Sequence, residues 1–168
     1  MSSMALRYTS FSQVEFSAMK RVFKNEPELR QAFVEALKEE LARSICNKYL
    51  VEEWLIPAID ETIKRGRPDI QISNLVIEVE PPLSGLEKGR EQLEMYMNEL
   101  YEKTSGKVEV YGAVTDGKDA ELWVKNSAGL NRISTGSMTS VMRNAIELFC
   151  SQKIPVVSVE DLVRLFGV

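Results

Sequence analysis

Histidine is absent from this 168-residue sequence, and cysteine is scarce. Nucleases with a histidine base, hydrolases with a Ser-His-Asp triad and the usual zinc hydrolase sites all require histidine, so these classes are excluded. The two cysteines, Cys46 and Cys150, lie far apart in segments predicted to be helical, which favours buried free thiols over a redox or metal-binding pair. Any catalysis must therefore rest on carboxylates, lysines and a hard metal ion.

Long apolar runs and a targeting signal are also missing. No stretch approaches the roughly 18 apolar residues of a membrane span, and the start, MSSMALRYTS, lacks the charged and apolar blocks of a signal peptide. These absences predict a cytoplasmic protein without a membrane partner. The formal net charge of −4 argues against nonspecific coating of nucleic acid, but a local basic cluster at Lys64, Arg65 and Arg67 is a candidate contact for a phosphate backbone.

The hydrophobic pattern predicts one domain over residues 1–168, without repeats or Gly/Ser linkers. Helices are predicted at about 12–23, from the capping sequence at 25–28 to about 45, at 85–102 and at 138–150. Strands are predicted at about 49–59, 67–72, 75–80, 108–115 and 120–124, and a short strand at 154–157 precedes a last helix. This interleaving favours an α/β fold in which a mixed central sheet is flanked by helices.

The clearest local signal is a tight antiparallel hairpin that turns at Ser73 and Asn74. If these two residues form the turn, Asp69 lies directly opposite Glu78. Strand alternation then makes one face of the hairpin entirely apolar. The other face carries Asp69, Gln71, Val76, Glu78 and Glu80.

Three carboxylates on this second face are expected to repel one another, because opposed like charges destabilise a sheet. A hard divalent ion such as Mg²⁺ or Mn²⁺ would relieve the repulsion between Asp69, Glu78 and Glu80, since such ions take oxygen ligands. An exposed acidic face with solvated charges is the alternative interpretation.

Several motifs in this chain occur in the same order in one nuclease superfamily. Pro68-Asp69 followed by Glu78-Val79-Glu80 resembles the PD-(D/E)xK signature, in which Pro-Asp and a later acidic-x-Lys lie on adjacent strands. The segment 28–31 resembles the E-x-R-Q helix start of type I restriction motor-subunit nuclease domains. Residues 92–96 resemble the Q-x-x-x-Y motif of RecB-like nucleases, and 111–117 the strand and turn that follow it. The chain therefore resembles the PD-(D/E)xK superfamily over about residues 28–124.

This resemblance implies a restriction endonuclease-like core at about 25–125 and a C-terminal extension at 126–168. It implies that Asp69, Glu78 and the backbone carbonyl of Val79 hold Mg²⁺ or Mn²⁺ and that metal-bound water attacks a phosphodiester of DNA. The expected activity is that of a DNA endonuclease or exonuclease in restriction, repair or a mobile element. A homodimer is left open.

Residue 80 departs from the family pattern, because Glu80 stands where a lysine is usual. Glu80 could orient the attacking water or supply another metal ligand. Lys88 is the leading candidate for the missing cation, since Lys88, Gln92 and Tyr96 lie at i, i+4 and i+8 on one helix face. Lys88 and Gln92 are also expected to contact the nucleic acid.

Two points stay open at the level of sequence. The helical acid of the site is Glu28 according to the motif, whereas the helical wheel favours Glu40, which lies within the apolar stripe of its helix; the motif places Glu28 first. The alternative function is a nuclease-fold module that has lost catalysis and serves in DNA binding or complex assembly. A structural or regulatory role without nucleic acid is favoured only by the acidic net charge.

Overall fold

The computed structural model describes residues 10–43 and 68–151, which form four helices and one five-stranded sheet. The helices are α1 (Phe11–Met19), α2 (Glu26–Arg43), α3 (Glu87–Lys103) and α4 (Met138–Ser151). The strands are β1 (Ile70–Ile72), β2 (Leu75–Val79), β3 (Val110–Thr115), β4 (Asp119–Asn126) and β5 (Gly129–Ser137). The predicted α/β class with a mixed sheet is confirmed. Within these two ranges no helix is long and apolar enough to span a membrane.

The strands lie in chain order, β1-β2-β3-β4-β5. Only the β2–β3 pair is parallel, and α3 forms the crossover that a parallel pair requires. The other neighbouring strands are antiparallel. The sheet is therefore mixed because a single crossover helix interrupts a series of hairpins.

Helices cover both faces of the sheet. One face packs on α1, α2 and α4 in a core that includes Phe11, Phe33 and Phe149. The opposite face packs on α3, through Leu93 and Met97 among others. The strand alternation of β2 divides its residues between these cores, with Ile77 in the first and Val76 in the second. Glu78 thus points toward the α3 side of the sheet.

The predicted register of the acidic hairpin is confirmed. Ile70 pairs with Ile77 and Ile72 with Leu75, and Ser73 takes a positive φ of 54° in the turn. The apolar face is fully buried, as predicted. The opposite face is not a solvated surface, however, because α3 packs against it.

The edge strand β5 was not predicted. Its residues are mostly polar and exposed, so the segment has no alternation of apolar side chains to indicate a strand. It forms nevertheless because its backbone pairs with β4 along its length. The strands predicted at 49–59 and 154–157, the last helix and the basic cluster Lys64, Arg65 and Arg67 lie outside the described residues.

Cys150, near the end of α4, is disulfide-bonded. The expectation of a free thiol is therefore wrong for this residue. The sequence interpretation relied on the separation of Cys46 and Cys150 along the chain, and separation along the chain does not prevent pairing in a folded domain. Cys46 lies outside the described residues.

Two glycines allow α3 to lie close to the sheet. A Cβ at Gly89 would be 2.6 Å from both Glu80 Oε1 and Val114 Cγ2. A Cβ at Gly112, on β3, would overlap the side chain of Met97 from α3. The helix consequently rests directly on the part of the sheet that carries Glu78 and Glu80.

Candidate metal centre

Asp69 and Glu78 lie side by side where β1 begins and β2 ends. The Asp69 amide donates to Glu78 Oε2 at 3.2 Å, and the Val79 amide donates to Asp69 Oδ2 at 2.9 Å. These contacts continue the hairpin register by one residue beyond the last ladder pair, Ile70 with Ile77. The backbone therefore fixes the two carboxyl groups of this acid pair against each other.

Glu78 holds its proton more tightly than an ordinary glutamic acid does. Burial, a hydrogen bond from the neighbouring carboxyl and the negative charge of Asp69 raise the pKa of Glu78 to about 9. Glu78 is only 2% exposed, so solvent does little to relieve this repulsion. A divalent cation at the pair would take the place of that proton, because metal-bound carboxylates are deprotonated.

Glu80 belongs to the same group of acids. It is buried under the first turn of α3, beside Gly89. Burial, Glu26 and Asp69 raise the pKa of Glu80, whereas Lys88 lowers it. Glu80 is therefore a third carboxyl group close to Asp69 and Glu78.

The sequence interpretation missed two residues beside the acid pair, Glu26 and Arg30, which lie one turn apart on α2. Arg30 Nη1 lies 3.4 Å from Glu26 Oε1 and 3.7 Å from Asp69 Oδ1. Burial and the charge of Asp69 raise the pKa of Glu26, whereas Arg30 and Lys88 lower it. The i, i+4 spacing of Glu26 and Arg30 is the sequence signal that could have found them.

Neither predicted helical acid occupies this place. Glu28 is exposed and caps the start of α2, because its Oε2 accepts from the Lys24 amide at 2.9 Å while Asn25 Oδ1 accepts from the Glu28 amide at 3.0 Å. Glu40 is half-buried near the far end of the helix. It lies about 21 Å along the axis from Glu26 at 1.5 Å per residue. The structure thus brings Glu26, rather than Glu28 or Glu40, to the acid pair.

The predicted face of α3 runs along the acids. Tyr96 is nearly buried, and its pKa is raised by burial and then by the charges of Glu78 and Asp69, so its phenol lies near the acid pair. Lys88, one end of this face, is exposed and acts electrostatically on Glu26 and Glu80. Gln92 is exposed between them. Lys88 and Tyr96 therefore flank the acids from one helix.

Two further buried acids hold α3 in place. Asp116 accepts from the amides of Lys118 and Asp119 in the β3–β4 turn, and its other oxygen accepts from the Gly85 amide ahead of α3 at 3.0 Å. Glu121, on β4, receives Arg90 from α3 in a bidentate pair at 2.8 and 2.7 Å. Both contacts fix the helix that covers the acid pair, and neither was predicted.

The candidate ligands at this centre are oxygen atoms, which are the ligands that a hard divalent ion takes. Mg²⁺ is commonly held by one or two carboxylates together with several waters, and Asp69 and Glu78 supply two carboxyl groups beside the Val79 backbone. In the described ranges no group of three His, Cys, Asp or Glu side chains is arranged to hold a metal ion. An ion at this place would have two carboxyl groups as side-chain ligands, and water would have to supply most of the remaining positions.

Comparison of the chain with models of protein families, with curated proteins and with solved structures finds no significant match.

Proposed function

We propose that this chain is a metal-dependent DNA nuclease with a restriction endonuclease-like core, acting in restriction, repair or a mobile element. The observation that carries the proposal is the group of acids formed by Asp69 and the buried Glu78 and Glu80, on a sheet face covered by a helix with Lys88 and Tyr96. Buried carboxyl groups with raised pKa values, gathered beside cations, are typical of functional sites. The implied core has three strands between its two helices, and the described residues contain two of them, β1 and β2, followed by α3 and β3.

Each residue has a defined role in this proposal. Asp69, Glu78 and the Val79 carbonyl would hold the ion, and Glu80 would orient a water beside it. An ion held there would activate water for attack on the phosphorus and offset negative charge on the phosphate. Lys88 and Gln92 would contact the DNA backbone, and the phenol of Tyr96, which is protonated at neutral pH like any tyrosine, would donate toward the acid pair.

The test is DNA cleavage by the purified chain with Mg²⁺ or Mn²⁺. We expect cleavage by the wild type and a loss of at least about a hundredfold in Asp69→Asn, as is typical when a group that stabilises the transition state is removed. Glu91→Gln, at an exposed acid of α3, is the matched control and should cleave like the wild type. Cleavage by Asp69→Asn at the wild-type rate would sink the proposal.

A second candidate function is a nuclease-fold module that binds DNA or assembles a complex without cutting. It is favoured by Glu80 in the lysine position and by the contacts of Asp69, whose oxygens face the Val79 amide and Arg30. Binding of DNA without cleavage, over several metals and substrates, would favour this module over the nuclease.

A further inference from the structure

Arg30 is a cation held inside the acidic group. Its guanidinium is about one-fifth exposed and lies between Glu26 of its own helix and Asp69 of the hairpin. Arginine stays charged at every physiological pH, so it cannot relieve its burial by losing a proton and must keep an acidic neighbour. Two acids, Glu26 and Asp69, contact this guanidinium, and Asp69 in turn acts electrostatically on Glu78 and Glu80.

The two contacts of Arg30 are unequal. Glu26 is the closer partner, because its Oε1 lies 3.4 Å from Arg30 Nη1 and on the same helix face. Asp69 Oδ1 lies at 3.7 Å, and the other carboxylate oxygen of Asp69 accepts a hydrogen bond from the Val79 amide. Loss of the Asp69 contact would leave Arg30 paired with Glu26. The Asp69 contact is therefore the one that another cation can replace.

We propose that Arg30 and a divalent ion compete for Asp69, so that Arg30 neutralises this carboxylate when no ion is bound and turns to the phosphate of the substrate when an ion is bound. The competition follows from like charge, because a cation within a few ångströms of Asp69 opposes the approach of a second one. It requires metal binding at Asp69 but no nuclease activity.

The contact with phosphate rests on the proposed function. Residue 80 is Glu80 and cannot supply a positive charge, whereas a guanidinium presents two parallel donors that match phosphate oxygens. Arg30, from α2, contacts Asp69, whereas Lys88, from α3, acts electrostatically on Glu26 and Glu80, so the acidic group has cations from two helices. Arg30 is the more buried of the two and is therefore the better positioned.

Mn²⁺ titration calorimetry tests the competition. Arg30→Gln should bind Mn²⁺ about tenfold more tightly than the wild type, since one repelling charge near the ion is removed. Arg43→Gln is the matched control, because Arg43 lies on the same helix in an exposed pair with Glu39 and should leave Mn²⁺ affinity unchanged. Arg30→Lys keeps the charge on a more mobile side chain and should fall between wild type and Arg30→Gln.

Unchanged or weaker Mn²⁺ binding by Arg30→Gln would overturn the competition. If Arg30→Gln does not fold, Arg30→Lys decides, because affinity no higher than that of the wild type contradicts the proposal in the same way.

Fluorescence anisotropy with a short DNA duplex tests the phosphate contact, read with and without saturating Mn²⁺ before cleavage proceeds. Arg30→Gln should weaken duplex binding severalfold with Mn²⁺ and have little effect without it, because Arg30 is then engaged by Asp69. Tighter Mn²⁺ binding with unchanged duplex binding would overturn the phosphate contact. A wild type that binds no duplex would contradict the proposed function itself, while the calorimetric result would still decide the competition.

Discussion

Glu78 is an acidic residue that the fold holds in a buried position. Alternation along β2 directs Ile77 and Val79 into the larger core, and it therefore directs Glu78 into the space beneath α3. There the carboxyl meets Asp69 instead of water. In the absence of metal, burial and Asp69 favour the protonated form of the Glu78 carboxyl group. A cation that binds this carboxyl group must displace the proton.

The pH dependence of stability tests this view of Glu78. Its pKa rises from 4.5 in the unfolded chain to about 9 in the fold, so between these values the folded state binds more protons. The stabilising contribution is full below pH 4.5 and is lost as the pH rises toward 9. Without metal, the free energy of unfolding should fall with rising pH in this window, by at most about 1.4 kcal/mol per unit.

Urea unfolding with a chelator, at several pH values, provides the measurement. Glu78→Gln removes the titrating group and should flatten the slope. A slope in Glu78→Gln equal to that of the wild type would show that other groups cause it.

The acid that α2 contributes to the site could not be identified from the sequence alone. Glu28 carries the recognised motif, and Glu40 lies on the apolar stripe, yet Glu26 is the acid beside Asp69. A first-turn glutamate is ordinarily read as a favourable partner of the helix dipole. Only the position of the hairpin relative to the start of α2 distinguishes Glu26 from Glu28, and that position is a property of the tertiary fold.

At the scale of the element, α3 is the part of the fold that builds the site. It joins the parallel strands, carries Lys88 and Tyr96, and is fixed to β4 through the Arg90–Glu121 pair. Hydrogen bonds from Arg90 lower the pKa of Glu121, so this pair is fully charged at neutral pH. The helix amphipathicity predicted α3 itself, but its close fit depends on glycines whose partners are distant in sequence.

Gly89→Ala tests that fit. Ala is intrinsically the better helix residue by about 1 kcal/mol, but its Cβ would meet Glu80 Oε1 and Val114 Cγ2 at 2.6 Å. We expect the overlap to win and to destabilise the fold by about 1–3 kcal/mol, as is usual for overpacked cores. Chemical denaturation measures the change, and a gain in stability would mean that α3 has room above Glu80.

At the scale of the whole molecule, hydrophobic patterns in the sequence predicted the elements whose own side chains determine their structure. The hairpin register follows from alternation around Ser73 and Asn74, and α4 follows from its amphipathic stripe. The polar strand β5 could not be predicted in this way, because its partner β4 rather than its own side chains makes it a strand. The disulfide of Cys150 was not predicted either.

The same distinction applies to the candidate metal centre. Two of its acids, Asp69 and Glu78, come from one hairpin and were predicted as a facing pair, whereas Glu26 and Arg30 come from α2, a separate element earlier in the chain. Through this helix, the site gains a further acid, Glu26, and a cation, Arg30, beside the acids of the hairpin. We propose that this site holds a divalent ion on Asp69 and Glu78.

Thermal and chemical unfolding with Mn²⁺ test this claim most directly, in the wild type and in Asp69→Asn/Glu78→Gln. At a hundredfold excess over the dissociation constant, Mn²⁺ should stabilise the wild type by about 2.7 kcal/mol and raise its Tm, whereas the double variant should not respond. Glu91→Gln/Glu94→Gln removes two exposed acids of α3 and should respond like the wild type. Equal Mn²⁺-induced shifts in the wild type and in Asp69→Asn/Glu78→Gln would contradict a metal centre at this acid pair.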